Sequence, residues 1–295
     1  MNSSFTLAAA SFLLVAFSSR GMGREPSAEA VSWFNEQEAA WQAILSMDPY
    51  AREALALNPQ ASYGERVEAI RTLAENPLAH MGTLEALMQE SHLGLRLAAI
   101  EVIESLRPDI AHSELLGLLR DLVPVPVETV SPESLLALRA ADLLARLGDG
   151  SALPYVARQL LESPRGIEQI SAILALSGFF YLKELEPYKP LVAFVEHRLP
   201  QLAPPVGDAQ RRTQTIINKA LYKLAGLHAV EAIPDFERWQ ADPRFEPVRD
   251  TVEFNLRRLR DMQAALDRGE PDPRDAVKIT PGTAPAWKLP KAVRD

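Results

Sequence analysis

The sequence predicts an all-α protein: an α-α superhelix of stacked helix pairs, between an N-terminal signal segment and an extended, disordered C-terminal tail. Three observations predict it. Leu and Ala dominate a chain that is 47% hydrophobic and only 7% aromatic, and these are helix formers rather than strand formers. Apolar residues recur at helical spacing in runs closed by Gly or Pro. The unit so formed, helix–tight turn–helix, recurs along the chain.

The clearest copy spans Ser131 to Ser163. Ser131-Pro132-Glu133 is a helix start, with a Ser cap, a Pro in the first turn and an acid near the positive dipole end. Leu136, Ala140, Leu143 and Leu147 follow at i, i+4, i+7 and i+11, one buried helical face, while Arg139, Asp142 and Arg146 form the opposite stripe. Gly148-Asp149-Gly150 closes the helix. Ser151 is placed to cap a second helix through Leu161, and Ser163-Pro164-Arg165-Gly166 breaks the chain again.

Weaker copies flank this unit. Leu95, Ala99, Val102, Ile103 and Leu106 repeat the face before Pro108, and Ser113 to Leu122 supplies the next helix. Ile170 to Leu176, Thr215 to Leu224, Ala229 to Trp239 and Val248 to Leu259 continue the series. The segmentation is therefore 1–23 signal peptide or anchor, 27–63 N-terminal helical cap, 64–268 repeat array and 269–295 flexible Pro-rich tail. The cap contributes Trp33, Phe34 and Trp41; the tail carries Pro271, Pro273, Pro281, Pro285 and Pro290.

The N-terminal run Phe5 to Phe17 is uncharged and shorter than the roughly 20 residues that span a hydrocarbon core. It fits a signal-peptide core, with Ala16-Phe17-Ser18 as a small-x-small cleavage site. Retention as an uncleaved anchor, or a simple disordered or buried N-terminus, are the alternatives. A cleaved signal and the absence of cysteine together suit a secreted or periplasmic protein without disulfides.

Leu138-Arg139-Ala140-Ala141-Asp142-Leu143-Leu144-Ala145-Arg146-Leu147-Gly148, followed by Ala152-Leu153-Pro154, resembles a HEAT repeat of the short, phycobilisome-lyase-like type. Leu95-Arg96-Leu97-Ala98-Ala99 echoes its opening, and Ala229-Val230-Glu231-Ala232-Ile233-Pro234 its inter-helix turn. The resemblance covers about residues 64–260. It implies an α-solenoid in which the second helix of each pair lines a concave face, the helix of Leu138 to Leu147 being one of these. The longer loops Val123 to Val130 and Pro200 to Asp208 depart from the compact pattern.

Chemistry is sparse. The sequence has no HExxH, no GxSxG, no Ser-x-x-Lys and no Gly-rich phosphate cradle, so no motif calls for a cofactor or a catalytic centre. Asp109-x-x-His112 and His228-x-x-Glu231 have ligand spacing, but both sit at turns where they can satisfy helix ends, and a metal needs three or four donors. Glu101 and Glu104 face one side at i, i+3 and read as a solvated surface. Phe179-Phe180-Tyr181 is either an exposed anchor or core filling. Arg257, Arg258 and Arg260 form a basic spot diluted by Asp250, Glu253 and Asp261. Trp287, Lys288 and Lys291 put one aromatic and two cations in the tail.

The formal charge of −8 argues against nucleic acid as a partner, because phosphate binding needs a positive field. Stacked repeats bury their apolar seams and leave the polar stripes of the inner helices on one surface. Glu101, Glu104, Arg139, Asp142, Arg146, Lys219 and Lys223 are the candidates for it, as a protein-binding surface or as salt-bridged solvation. The expected role is a non-catalytic scaffold or accessory subunit with a protein partner, contacting a membrane only through an uncleaved N-terminus. The alternatives are a HEAT-like enzyme of the lyase or glycosylase kind, with a groove active site, and a structural envelope component.

Overall fold

The computed structural model describes residues 38–122, 132–202 and 208–275. Among these the chain is all-α, with no strand. The signal-like segment, the loop Val123 to Val130 with Ser131, residues 203–207 of the second longer loop and the Trp287 tail motif lie outside the described residues.

After helical residues 38–46 (α1), six helix pairs follow: α2 (Pro49–Leu57) with α3 (Tyr63–Thr72), α4 (Met81–Met88) with α5 (Leu93–Ile103), α6 (Pro108–Leu122) with α7 (Pro132–Arg146), α8 (Leu153–Glu162) with α9 (Gly166–Ala175), α10 (Lys189–Arg198) with α11 (Asp208–Gly226), and α12 (Ile233–Ala241) with α13 (Arg249–Asp267). The members of each pair pack on one another. Each second helix also packs on the next one along, α3 on α5, α5 on α7, α7 on α9, α9 on α11 and α11 on α13. This row of second helices runs unbroken through the described fold.

Local chemistry explains the boundaries. Pro sits in the first turn of α2, α6, α8, α10 and α12, where its missing N–H costs no hydrogen bond and its fixed φ favours the helix. Asp48 caps α2 by accepting from the Ala51 amide at 3.0 Å. Ser62 and Glu65 form a reciprocal capping box at the start of α3, which holds the Glu65 carboxyl below its usual range. α7 ends where expected: Gly148 adopts φ 87, and the Asp149 amide returns to the Leu144 carbonyl at 3.1 Å.

Several local expectations differ. The 27–63 cap is divided between α1 and α2 by the break at Met47-Asp48, where the Asp cap and Pro49 restart the helix. α6 begins at Pro108 rather than Ser113. Ser151 does not cap α8; its amide donates to Asp149, and the helix starts at Leu153 with Pro154 in its first turn. The tail is packed as far as Asp275: Pro273–Asp275 forms a turn in which buried Arg274 pairs with Asp272 and Glu231, and Lys183 reaches Asp272 and Asp275.

The core is continuous along the stack. α7 is buried on most of its circumference, including Ala137, Leu138, Ala140, Ala141, Leu143, Leu144 and Ala145, because it lies among α5, α6 and α9 with the turn Gly178–Tyr181 laid over it. The single-face reading of Leu136, Ala140, Leu143 and Leu147 was therefore too narrow for a middle helix. At the C-terminal end, Trp239 fills the last pair, with Phe236 at 5.1 Å and Phe245 stacked at 5.5 Å between centroids.

Candidate functional site

Every candidate side chain lies on the row of second helices. Glu101 is on α5 and Glu104 caps its C-terminus; Arg139, Asp142 and Arg146 are on α7, and Lys219 and Lys223 are on α11. Tertiary packing sorts them into two groups.

The first group is a closed ion cluster between α5 and α7. Arg139 Nε donates to Glu101 Oε1 at 2.7 Å, bridging the two helices. Arg139 Nη1 and Arg146 Nη2 converge on one oxygen, Asp142 Oδ2, at 2.5 and 2.9 Å. Asp142 is 3% exposed, whereas both arginines keep nearly half of their side chains in solvent. Asp142 thus does not belong to a solvated stripe. The turn after α9 covers it, and Gly178 is the residue that makes the cover fit: a Cβ there would stand 2.1 Å from the Asp142 carbonyl oxygen. Burial pushes the Asp142 carboxyl above its ordinary value, against the pull of Arg146, Arg139 and the Gly178 amide.

Glu104 joins this cluster from α5. Its Oε2 is buried without a hydrogen bond, so the reading of Glu101 and Glu104 as a plainly solvated pair does not hold. Burial raises the Glu104 carboxyl; Arg146 and Arg139 oppose the rise, and Glu101 and Asp142 add to it. The physical reason is that α7 packs beside α5 and brings two guanidiniums and a second carboxylate against the same spot.

The second group is open. Lys223 Nζ donates to Ser177 Oγ at 2.5 Å, and burial lowers its ammonium below the usual range although Asp142 acts the other way. Lys219 is half-buried, and among the described residues neither lysine forms an ion pair. Ser177, Phe180, Tyr181, Lys223, Gly226 and Leu227 line a pocket of about 240 Å³. The Phe180 ring meets Tyr181 edge-on at 4.9 Å and His228 at 5.3 Å. The aromatic triplet divides its roles: Phe179 is buried in the core, Phe180 half-buried, and Tyr181 exposed.

Sequence reasoning missed Ser177 and Gly178 as site residues, because Ser-Gly after a helix reads as a terminator. It also missed Leu174, Tyr222 and Phe254, large apolar side chains that are 49%, 49% and 45% exposed on α9, α11 and α13. Tyr222 and Phe254 meet across α11 and α13 at 6.0 Å, and Arg258 lies over the Phe254 ring at 5.9 Å. The available signal was their placement off the buried periodicity of those helices.

Two of the histidines pair with carboxylates of other elements. His112 Nε2 pairs with Asp149 at 2.9 Å, tying α6 to the turn after α7, and His80 Nδ1 pairs with Glu53 at 2.8 Å. Burial, aided by Arg274, lowers His228, whose φ is 52 at the turn after α11. Among the described residues no group of three or more His, Asp or Glu side chains is placed to hold a metal ion, and no helix is long and apolar enough to cross a membrane. Comparison with family models, curated proteins and solved structures gives no match to this chain.

Proposed function

We propose that this chain is an exported, HEAT-like α-solenoid that works as a non-catalytic protein-binding scaffold or accessory subunit, with the outward stripe of its second helices as the concave binding face. The observation that carries the reading is the unbroken row α3–α5–α7–α9–α11–α13, whose C-terminal part leaves large apolar side chains in solvent beside two lysines that form no ion pair among the described residues. Exposed aromatics are enriched at protein interfaces, where burial of the rings supplies much of the affinity. The HEAT-like pattern around Leu138 to Pro154 and the signal-like run Phe5 to Phe17 support the class and the export.

The test is photo-crosslinking in extract of the compartment where the protein resides. A benzophenone amino acid replaces Tyr222 on the second-helix row in one variant. In the other it replaces Tyr50, which is 82% exposed on α2 in the first-helix row. Discrete adducts from position 222 and none from position 50 are expected. Adducts only from position 50, or none from either, would remove the proposed face.

A further inference from the structure

We infer that Lys223 and its pocket form a carboxylate subsite that seats an acidic side chain of a partner polypeptide whose neighbouring residues are apolar. The inference rests on the scaffold reading and names the chemistry of its partner.

The charge pattern is the first argument. α11 carries Arg211, Arg212, Lys219 and Lys223, and its only acid is Asp208 at the N-terminus. Lys219 and Lys223 stand four residues apart, so they share one face of the helix. Asp142, the acid whose charge reaches Lys223, forms no ion pair with either lysine: its Oδ2 takes both α7 arginines, and its attraction leaves the Lys223 ammonium still below its usual range. A local excess of positive charge therefore persists on a chain whose formal charge is −8.

The donor inventory is the second argument. An ammonium has three N–H donors, and Lys223 uses one on Ser177 Oγ. Because Ser177 accepts there, its own hydroxyl proton remains free to donate. An ammonium and a hydroxyl side by side match the two oxygens of one carboxylate. Guanidinium-rich clusters suit phosphate better, and no arginine lines this pocket.

Size and surroundings set the third. A volume of about 240 Å³ falls below that of a typical drug-sized pocket and accommodates a single side chain. Phe180, Tyr181 and Leu227 supply apolar walls for the methylenes of a Glu or Asp. Outside the pocket, Leu174 stands one turn before Ser177, and Tyr222 is paired with Phe254 beside Lys223. That exposed apolar surface favours an acid embedded in a polypeptide over a free small carboxylate.

The experiment uses the full chain and two fluorescein-labelled peptides, acetyl-Phe-Glu-Leu-Glu-Phe-amide and its twin with both Glu replaced by Gln, read by fluorescence polarisation. The acidic peptide is expected to bind about tenfold tighter than its twin, the scale of one charge-assisted contact. Lys223→Met removes that preference and Lys223→Arg retains most of it. Met fills a similar volume without a desolvated charge, and Arg keeps the charge at the rim, so cooperative melting of each variant at the wild-type slope is checked first. Equal binding of the twins by wild type, or a preference that survives Lys223→Met, would overturn the subsite. If position 222 crosslinks while the twins bind equally, the carboxylate subsite fails and the scaffold reading stands. If neither is seen, the scaffold reading itself fails.

Discussion

The α5–α7 stretch and the α9–α11 stretch of the same helical row carry similar residue types and end in opposite states. Between α5 and α7, arginines and carboxylates lie within hydrogen-bond reach across and along the helices, and a covering turn drives one carboxylate to 3% exposure. Between α9 and α11, among the described residues, neither Lys219 nor Lys223 forms an ion pair, and large apolar side chains stay in water. The difference teaches that a polar stripe on stacked helices is not one kind of surface. Where charges cancel locally the stripe holds neighbouring helices in register; where they do not, it is left for another molecule.

The comparison can be broken most severely at Gly178. Gly178→Ala forces a Cβ against the Asp142 carbonyl, and a backbone shift in the covering turn is expected to cost about 3 kcal/mol, measured as a loss of denaturant midpoint at unchanged slope. Asp142→Ala leaves two guanidiniums without their shared carboxylate. Because both are nearly half in solvent, the expected loss is about 2 kcal/mol, below the range for a fully buried pair. A destabilisation under about 0.5 kcal/mol would mean the cluster is not closed.

Glu104→Gln sharpens the same contrast with the opposite sign. A carboxyl whose folded pKa is raised contributes stability that is complete below its unfolded value and is lost as pH rises through the folded one. At neutral pH the ionised Glu104 therefore opposes folding, and the amide removes that opposition. Thermal melts should show the variant about 1–2 °C above wild type at pH 7, the gap closing as pH falls toward about 4. A gap that widens on acidification would show the Arg146 and Arg139 attraction to be the larger effect. The smallest change in stability is expected from Lys219→Glu, within about 0.5 kcal/mol because the side chain is partly exposed and forms no ion pair among the described residues. The same variant should nonetheless diminish crosslinking from position 222, which separates a binding surface from a merely solvated one.

Much of this was legible in the residues. The start of α7 at Pro132 and its end before Gly148 were legible, and apolar periodicity was enough to put Glu101, Arg139, Asp142, Arg146, Lys219 and Lys223 on helices. Other features were not legible. Asp142 and Glu104 read as surface because no pattern local to α5 or α7 announces a turn arriving from after α9. Ser151 read as a cap because Ser commonly caps, but the Asp149 side chain already occupies its amide. The docking of Arg274 onto Glu231 lies across 43 residues of sequence, beyond any helical period.

The sequence alone determined the all-helical class, the ends of α7 and the set of basic residues on α11, since each depends on composition or on residues a few positions apart. Tertiary structure alone decided which charges were cancelled and which remained open. An ion pair between helices is set by distances of a few ångströms across the stack, and those distances are created only when the seams close.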